Sequence, residues 1–375
     1  MAFAGLLFPI LGYFFIALWG LLGLLKVAVT ILTHPFTALK KTTREIPPAC
    51  LLDPALGSHE YVTANGLKFH CVCAGDTSKP LMLLLHGFPE FWFSWRHQLK
   101  AFSKDYHVVA VDMRGYGDSD KPDGVASYTL DKLGKDIADL IPALGYSACV
   151  LVGHDWGGAV AWRVADTNPE LIDKLVIMNC PHLSIMGQEL TNGWGQLLKS
   201  WYIFMFQVPW LPEFTIGLHD YRNFNAIFRG RKAGVKNRDQ FPAEVVEAYK
   251  YSFSRPGGLT GPINYIRAIY KTRSFLFPRT RKTIDIPTLL LWVTSLTPHI
   301  SHSSHIHFIP LGSSEYSFNH LTADIVELIP ALGHSSCILV GHDWGGVVSW
   351  RVTQRYPELV DRHIVLNCPH GRFEI

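Results

Sequence analysis

Short apolar runs punctuate the middle of this chain at intervals that suit a parallel sheet. Residues 81–85, 106–111, 149–152 and 175–179 are apolar almost throughout, the pattern of strands buried on both faces. The stretches between them change period, and residues 159–166 have helical character. Strands alternating with helices predict an α/β fold with a mostly parallel sheet and helices on both faces. Upstream, Tyr61-Val62 and Leu67-Lys68-Phe69 flank Asn65-Gly66, a hairpin signal that predicts an antiparallel start to the sheet. A further core strand is expected at 286–292. The N-terminal run differs in kind. From Ala2 to Leu25 it holds no charged side chain, enough helix to cross a bilayer core and more than a signal-peptide hydrophobic region needs. Residues 2–33 are therefore predicted to be a membrane anchor helix, the alternative of a buried core helix being disfavoured ahead of an otherwise complete fold. Lys26, Lys40, Lys41 and Arg44 lie on its C-terminal flank. The positive-inside rule then predicts a single-pass protein, in the endoplasmic reticulum, with its folded part cytosolic.

Composition changes this picture little. A chain of 375 residues with 48% hydrophobic content has room for one α/β core with an inserted domain. A net charge of +3 without a basic tract argues against nucleic acid as a partner. Seven cysteines, an odd number without zinc or disulfide spacing, read as reduced thiols. His299, His302, His305 and His307 invite a metal reading. No carboxylate or cysteine accompanies them and no helical periodicity orders them, so they read as a junction rather than a metal site. No metal and no cofactor is expected.

The chemistry gathers at Gly153-His154-Asp155-Trp156-Gly157-Gly158. A buried strand, a tight glycine turn and a helix form the context of a nucleophile elbow, and here the apex is Asp155. A carboxylate in that position attacks an sp³ carbon to give an alkyl ester, where serine or cysteine would attack a carbonyl. In the α/β-hydrolase plan the loop after an upstream strand supplies one oxyanion N–H and the residue after the nucleophile the other. Those donors are Phe88, within His86-Gly87-Phe88-Pro89-Glu90, and Trp156. Residues 114–120 lack the Lys-Ser/Thr ending of a phosphate loop and read as a tight structural loop.

These motifs, with Arg114-Gly115-Tyr116-Gly117-Asp118-Ser119 between them, resemble the epoxide hydrolases of the α/β-hydrolase superfamily, especially the membrane-anchored members, over roughly residues 46–292. The resemblance implies an α/β-hydrolase core beginning at 46–182, a helical cap at 183–284 and a returning core strand at 285–293. It also implies a cis peptide at Phe88–Pro89. Two cap tyrosines in similar enzymes assist the departing epoxide oxygen as general acids. The first is matched by Tyr202, whose other reading is one more packed aromatic. At the second position this chain has Ile266, and the neighbouring Tyr265 points about 100° away on a helix.

The larger departure follows the 285–293 strand. Similar enzymes place a relay acid there and, later, a histidine that activates water. This chain reads Val293-Thr294-Ser295-Leu296-Thr297-Pro298, within an anomalous junction at 294–315. Residues 316–370 then repeat 128–182 without a gap at about 60% identity, far beyond chance for a repeat of this length. The second elbow, around Asp343, has no oxyanion loop or cap of its own and reads as a relic. The resemblance thus implies a membrane-attached enzyme that opens lipophilic epoxides through an aspartyl ester, with turnover impaired. The alternatives are a non-catalytic lipid-binding relic and a haloalkane dehalogenase-like hydrolase.

Overall fold

The computed structural model describes residues 2–183, 186, 200–230, 235, 238–272, 284 and 286–291, and, further on, 322, 325–326, 329–330, 335–342 and 344–366. They fall into two units, the first running to Leu291.

In the first unit, α1 (Ala2–Thr33) precedes the hairpin of β1 (Ser58–Ala64) and β2 (Leu67–Ala74). Asn65 and Gly66 take φ of 48° and 74° at its turn, the left-handed pair that a two-residue hairpin requires. Then follow β3 (Leu81–Leu85), α2 (Arg96–Phe102), β4 (His107–Val111), α3 (Leu130–Ala143), β5 (Cys149–His154), α4 (Trp156–Thr167) and β6 (Ile172–Met178). The chain leaves the sheet for a helical insertion holding α5 (Trp201–Met205), α6 (Leu211–Arg229), α7 (Ala243–Ser254) and α8 (Thr260–Thr272). It returns as β7 (Thr288–Leu291).

The sheet order is β1-β2-β4-β3-β5-β6-β7. The first two pairings are antiparallel and the rest parallel, as the hairpin and the apolar runs predicted. Strands β3 and β4 are buried along their whole length. Burying a leucine or valine side chain stabilises by about 1.5–3 kcal/mol, so these central strands hold the frame on which the loops at their C-terminal ends rest.

Two strand starts differ by two or more residues from the sequence expectation. β6 begins at Ile172, ahead of the apolar run, because Ile172 and exposed Lys174 pair with β5 while Asp173 is bulged out between them. β7 begins only at Thr288, after Pro287, which has no N–H for the ladder. It ends the sheet order with Leu289 and Leu290 about half exposed, an apolar edge among the described residues.

In the second unit β8 (Cys337–His342) pairs in parallel with β9 (Val360–Leu366), linked by α9 (Trp344–Arg355). The register steps from Cys337↔Val360 to Ile338↔Arg362, just as the first copy steps from Cys149↔Ile172 to Val150↔Lys174. The repeated sequence thus forms the same local strand–helix–strand, as a separate two-stranded sheet. Asp343, the four junction histidines and residues 292–321 lie outside the described residues.

Candidate active site

Asp155 sits between the end of β5 and the first turn of α4 with φ 51° and ψ −118°, a strained conformation for a residue with a Cβ. Close backbone approach permits the turn. A Cβ added to Gly157 would collide with the Leu85 carbonyl oxygen, and one on Gly87 would lie 2.5 Å from the Asp155 Cβ. Glycine at these points lets the β3 loop and the elbow touch.

Across that contact Phe88 N donates to Asp155 Oδ1 at 2.9 Å, and the Trp156 amide also hydrogen-bonds the carboxylate. The two amides expected to form the oxyanion hole are therefore brought onto the expected nucleophile. The Phe88–Pro89 peptide that shapes this loop is cis, as expected. Burial raises the Asp155 pKa, while His154 and the two amides oppose the shift without cancelling it.

Glu90 and His154 form a pair that the motif reading passed over. His154 Nδ1 lies 3.0 Å from Glu90 Oε2, and Gly87 N donates to the same oxygen at 3.3 Å. Burial works against the imidazolium, but Glu90 outweighs it and lifts the His154 pKa to about 9. Burial likewise opposes ionisation of Glu90, and His154 overcomes it to hold that carboxyl below its usual range. A positive imidazolium thus stands next in sequence to the expected nucleophile, Asp155. Opposite charges in the two motifs were the available signal.

Tyr202 lies on α5, its ring edge-on to Phe206 at 6.0 Å between centroids, and Phe206 is edge-on to Phe88 at 6.0 Å. The first tyrosine is thus two rings from the oxyanion loop. At the second position Ile266 is buried on α8. Tyr265 packs edge-on to Trp156 and Tyr116 and donates its hydroxyl to the Arg114 carbonyl at 2.8 Å, so it is committed elsewhere.

The 114–120 loop is a structural brace, as its bland reading suggested. Arg114 clamps Asp136 through Nε at 2.7 Å and Nη2 at 2.5 Å, and Asp112 accepts from Trp92 N and Asp118 N. Its Tyr116 is buried against His86 at 4.6 Å, with a hydroxyl lacking a partner among the described residues. Those residues also hold no group of three metal-ligating side chains.

A profile described as alpha/beta hydrolase fold matches residues 80–297 and, a second time, 297–373. The fold and elbow thus define an α/β hydrolase. Human epoxide hydrolase 4 is 46% identical over 290 residues, covering 76% of this chain and 79% of that protein. Mouse epoxide hydrolase 3 is 46% identical over 255 residues, covering 66% and 68%. The crystal structure of a Bacillus megaterium epoxide hydrolase in complex with an inhibitor superposes with a TM-score of 0.54 at 34% identity, covering 62% of this chain and 82% of that one. This chain belongs to the epoxide hydrolase family.

Proposed function

We propose that this protein opens lipophilic epoxides through an ester on Asp155 and releases the diol slowly. The observation that carries the reading is the 2.9 Å bond from Phe88 N to Asp155 Oδ1. The oxygen so held becomes the ester carbonyl, which leaves Oδ2 to attack an epoxide carbon. As that C–O bond forms, the ring C–O bond breaks and the departing oxygen takes a proton from Tyr202. In the second step water adds to the ester carbonyl, the Phe88 and Trp156 amides hold the oxyanion, and its collapse expels the diol oxygen, which takes one of the water's protons while the other returns to the Tyr202 oxygen, leaving Asp155 as a carboxylate. The second step needs a base worth about 10²–10⁴-fold. No relay acid occurs in residues 293–298, where similar enzymes carry one, and this supports slow release.

Haloalkane dehalogenases stabilise halide with Trp or Asn donors, and Trp156 fits either reading, but Phe88-Pro89-Glu90 and Tyr202 favour an epoxide. No cofactor takes part. The insertion acts as the cap, covering residues 183–284 of the chain. The N-terminal apolar helix is consistent with membrane anchoring, and we assign attachment to the endoplasmic reticulum with the catalytic unit on the cytosolic side. Peptide mapping after incubation with 1,2-epoxydodecane tests the assignment: the adduct belongs on Asp155 and is lost in Asp155→Ala. An adduct on any other carboxylate refutes it.

A further inference from the structure

The 23 residues Leu11–Thr33 of α1 contain an 18-residue stretch with a mean hydropathy of 2.2 and make about 35 Å of helix at 1.5 Å per residue. One face packs on the cap from Gly12 to Gly23. An added Cβ would collide with the Tyr270 hydroxyl at Gly12, and would lie 3.0 Å from Val208 at Gly20 and 3.0 Å from Leu211 at Gly23. Between these glycines Phe15 meets Phe204 at 5.2 Å and Trp19 meets Trp201 at 5.6 Å between ring centroids. Beyond the helix the contact continues. His34 is edge-on to His219, and His219 N donates to the Ala38 carbonyl at 2.9 Å.

The opposite face is equally apolar and uncovered. Tyr13, Phe14, Leu21, Leu24, Leu25 and Leu32 are between half and four-fifths exposed. A helix docked on the cap through about 17 Å of its apolar length cannot cross a hydrocarbon core of about 30 Å alone. It would draw in the flank of the cap, with the Arg267–Glu213 pair at 2.7 Å and Asp220, and ionised groups in hydrocarbon are costly.

We propose that α1 lies in the plane of one leaflet, its uncovered face among the acyl chains and the cap fixed to its other face. The bilayer is the occupant favoured by the apolar composition of that face, in a helix long and apolar enough for hydrocarbon, and by the exposed basic residues Lys26 and Lys40 in and just after the helix, which suit anionic headgroups. One consequence concerns substrate entry and rests on the proposed function. Helix α5 turns Trp201 and Phe204 to α1 and, through Phe206, Tyr202 toward Phe88. It is a shared wall between the acyl layer and the site, so lipophilic epoxide arrives from the membrane side.

The full chain with an N-terminal epitope tag, bound to sealed phosphatidylcholine–phosphatidylserine vesicles, tests the topology without reference to catalysis. External protease is expected to remove the tag together with the catalytic unit. Gly20→Cys with Val208→Cys is expected to form an intrachain disulfide on the vesicles. Leu21→Lys with Leu25→Lys is expected to weaken vesicle binding by more than about tenfold, since each leucine withdraws from lipid. A protected tag would show that the helix crosses the bilayer and overturn the proposal. Failure of the disulfide, or unchanged vesicle binding by the lysine variant, would overturn it as well. Interchain crosslinking through Leu24→Cys on the vesicles would assign the uncovered face to a second copy instead.

Discussion

His154 Nδ1 and Glu90 Oε2 stand 3.0 Å apart, joining the residue before Asp155 to the end of the loop that carries Phe88. The pair keeps a positive charge beside Asp155, and that charge is the largest influence opposing the rise caused by burial.

Glu90→Gln removes the support that lifts the His154 pKa to about 9, so the imidazole becomes neutral at lower pH. Attack needs ionised Asp155, whose pKa is already raised; alkylation therefore falls as pH drops through that raised value. In Glu90→Gln the acid limb is expected to move to higher pH, because the lost imidazolium charge outweighs the lost glutamate charge. Single-turnover alkylation rates across pH measure it. An unmoved limb, or one at lower pH, would remove His154 from the electrostatics of the site.

Tyr202→Phe is expected to slow alkylation by about 10²-fold or more, the usual scale of general-acid assistance. Ile266→Tyr is expected to speed it by about tenfold by adding a second donor, at a packing cost of about 1–3 kcal/mol for overfilling a buried site. Adduct formation followed by mass spectrometry, with a thermal melt for each variant, separates chemistry from stability. Equal rates in wild type and Tyr202→Phe would return that residue to a packing role.

The linker after α1 grips the cap at a break in α6. Leu218 leaves the helical region, and His219, Asp220 and Tyr221 take φ of 49°, 55° and 59°, conformations disfavoured for such residues. Asp220 accepts from Thr42 N at 3.0 Å and from both terminal nitrogens of Arg44 at 2.7 Å. Although burial opposes its ionisation, Arg44 and Thr42 hold its pKa down to about 2. A carboxyl depressed on folding stabilises above its unfolded pKa, and that stability is lost as pH falls from about 4 toward about 2. At neutral pH the contribution is about 1–2 kcal/mol after allowance for partial exposure. Asp220→Asn should lower the melting temperature at pH 7 and much less at pH 2. The same loss at both values would mean that the clamp is not ionic.

Much of this arrangement was legible in the sequence because it depends on local pattern. Apolar runs fixed the central strands, Asn65-Gly66 the hairpin, and the glycines around Asp155 the elbow. The Glu90–His154 pair joins residues 64 positions apart, which periodicity does not relate. The docking of α1 was hidden for another reason: its cap face and its exposed face have the same apolar chemistry, and only the positions of Gly12, Gly20 and Gly23 distinguish them. The α6 break escaped because Leu218 to Tyr221 contain no glycine or proline, the left-handed backbone being held by the distant Thr42 and Arg44.

The central claim is that Asp155 is alkylated faster than it is released. The most direct measurement is rapid-quench intact mass of the full chain with 1,2-epoxydodecane, with diol quantified in the same samples. The account predicts one adduct per chain that builds up and persists while diol forms slowly, its site lost in Asp155→Ala and kept in Asp343→Ala. Rapid diol formation with no accumulating adduct, or labelling of Asp343, would contradict it.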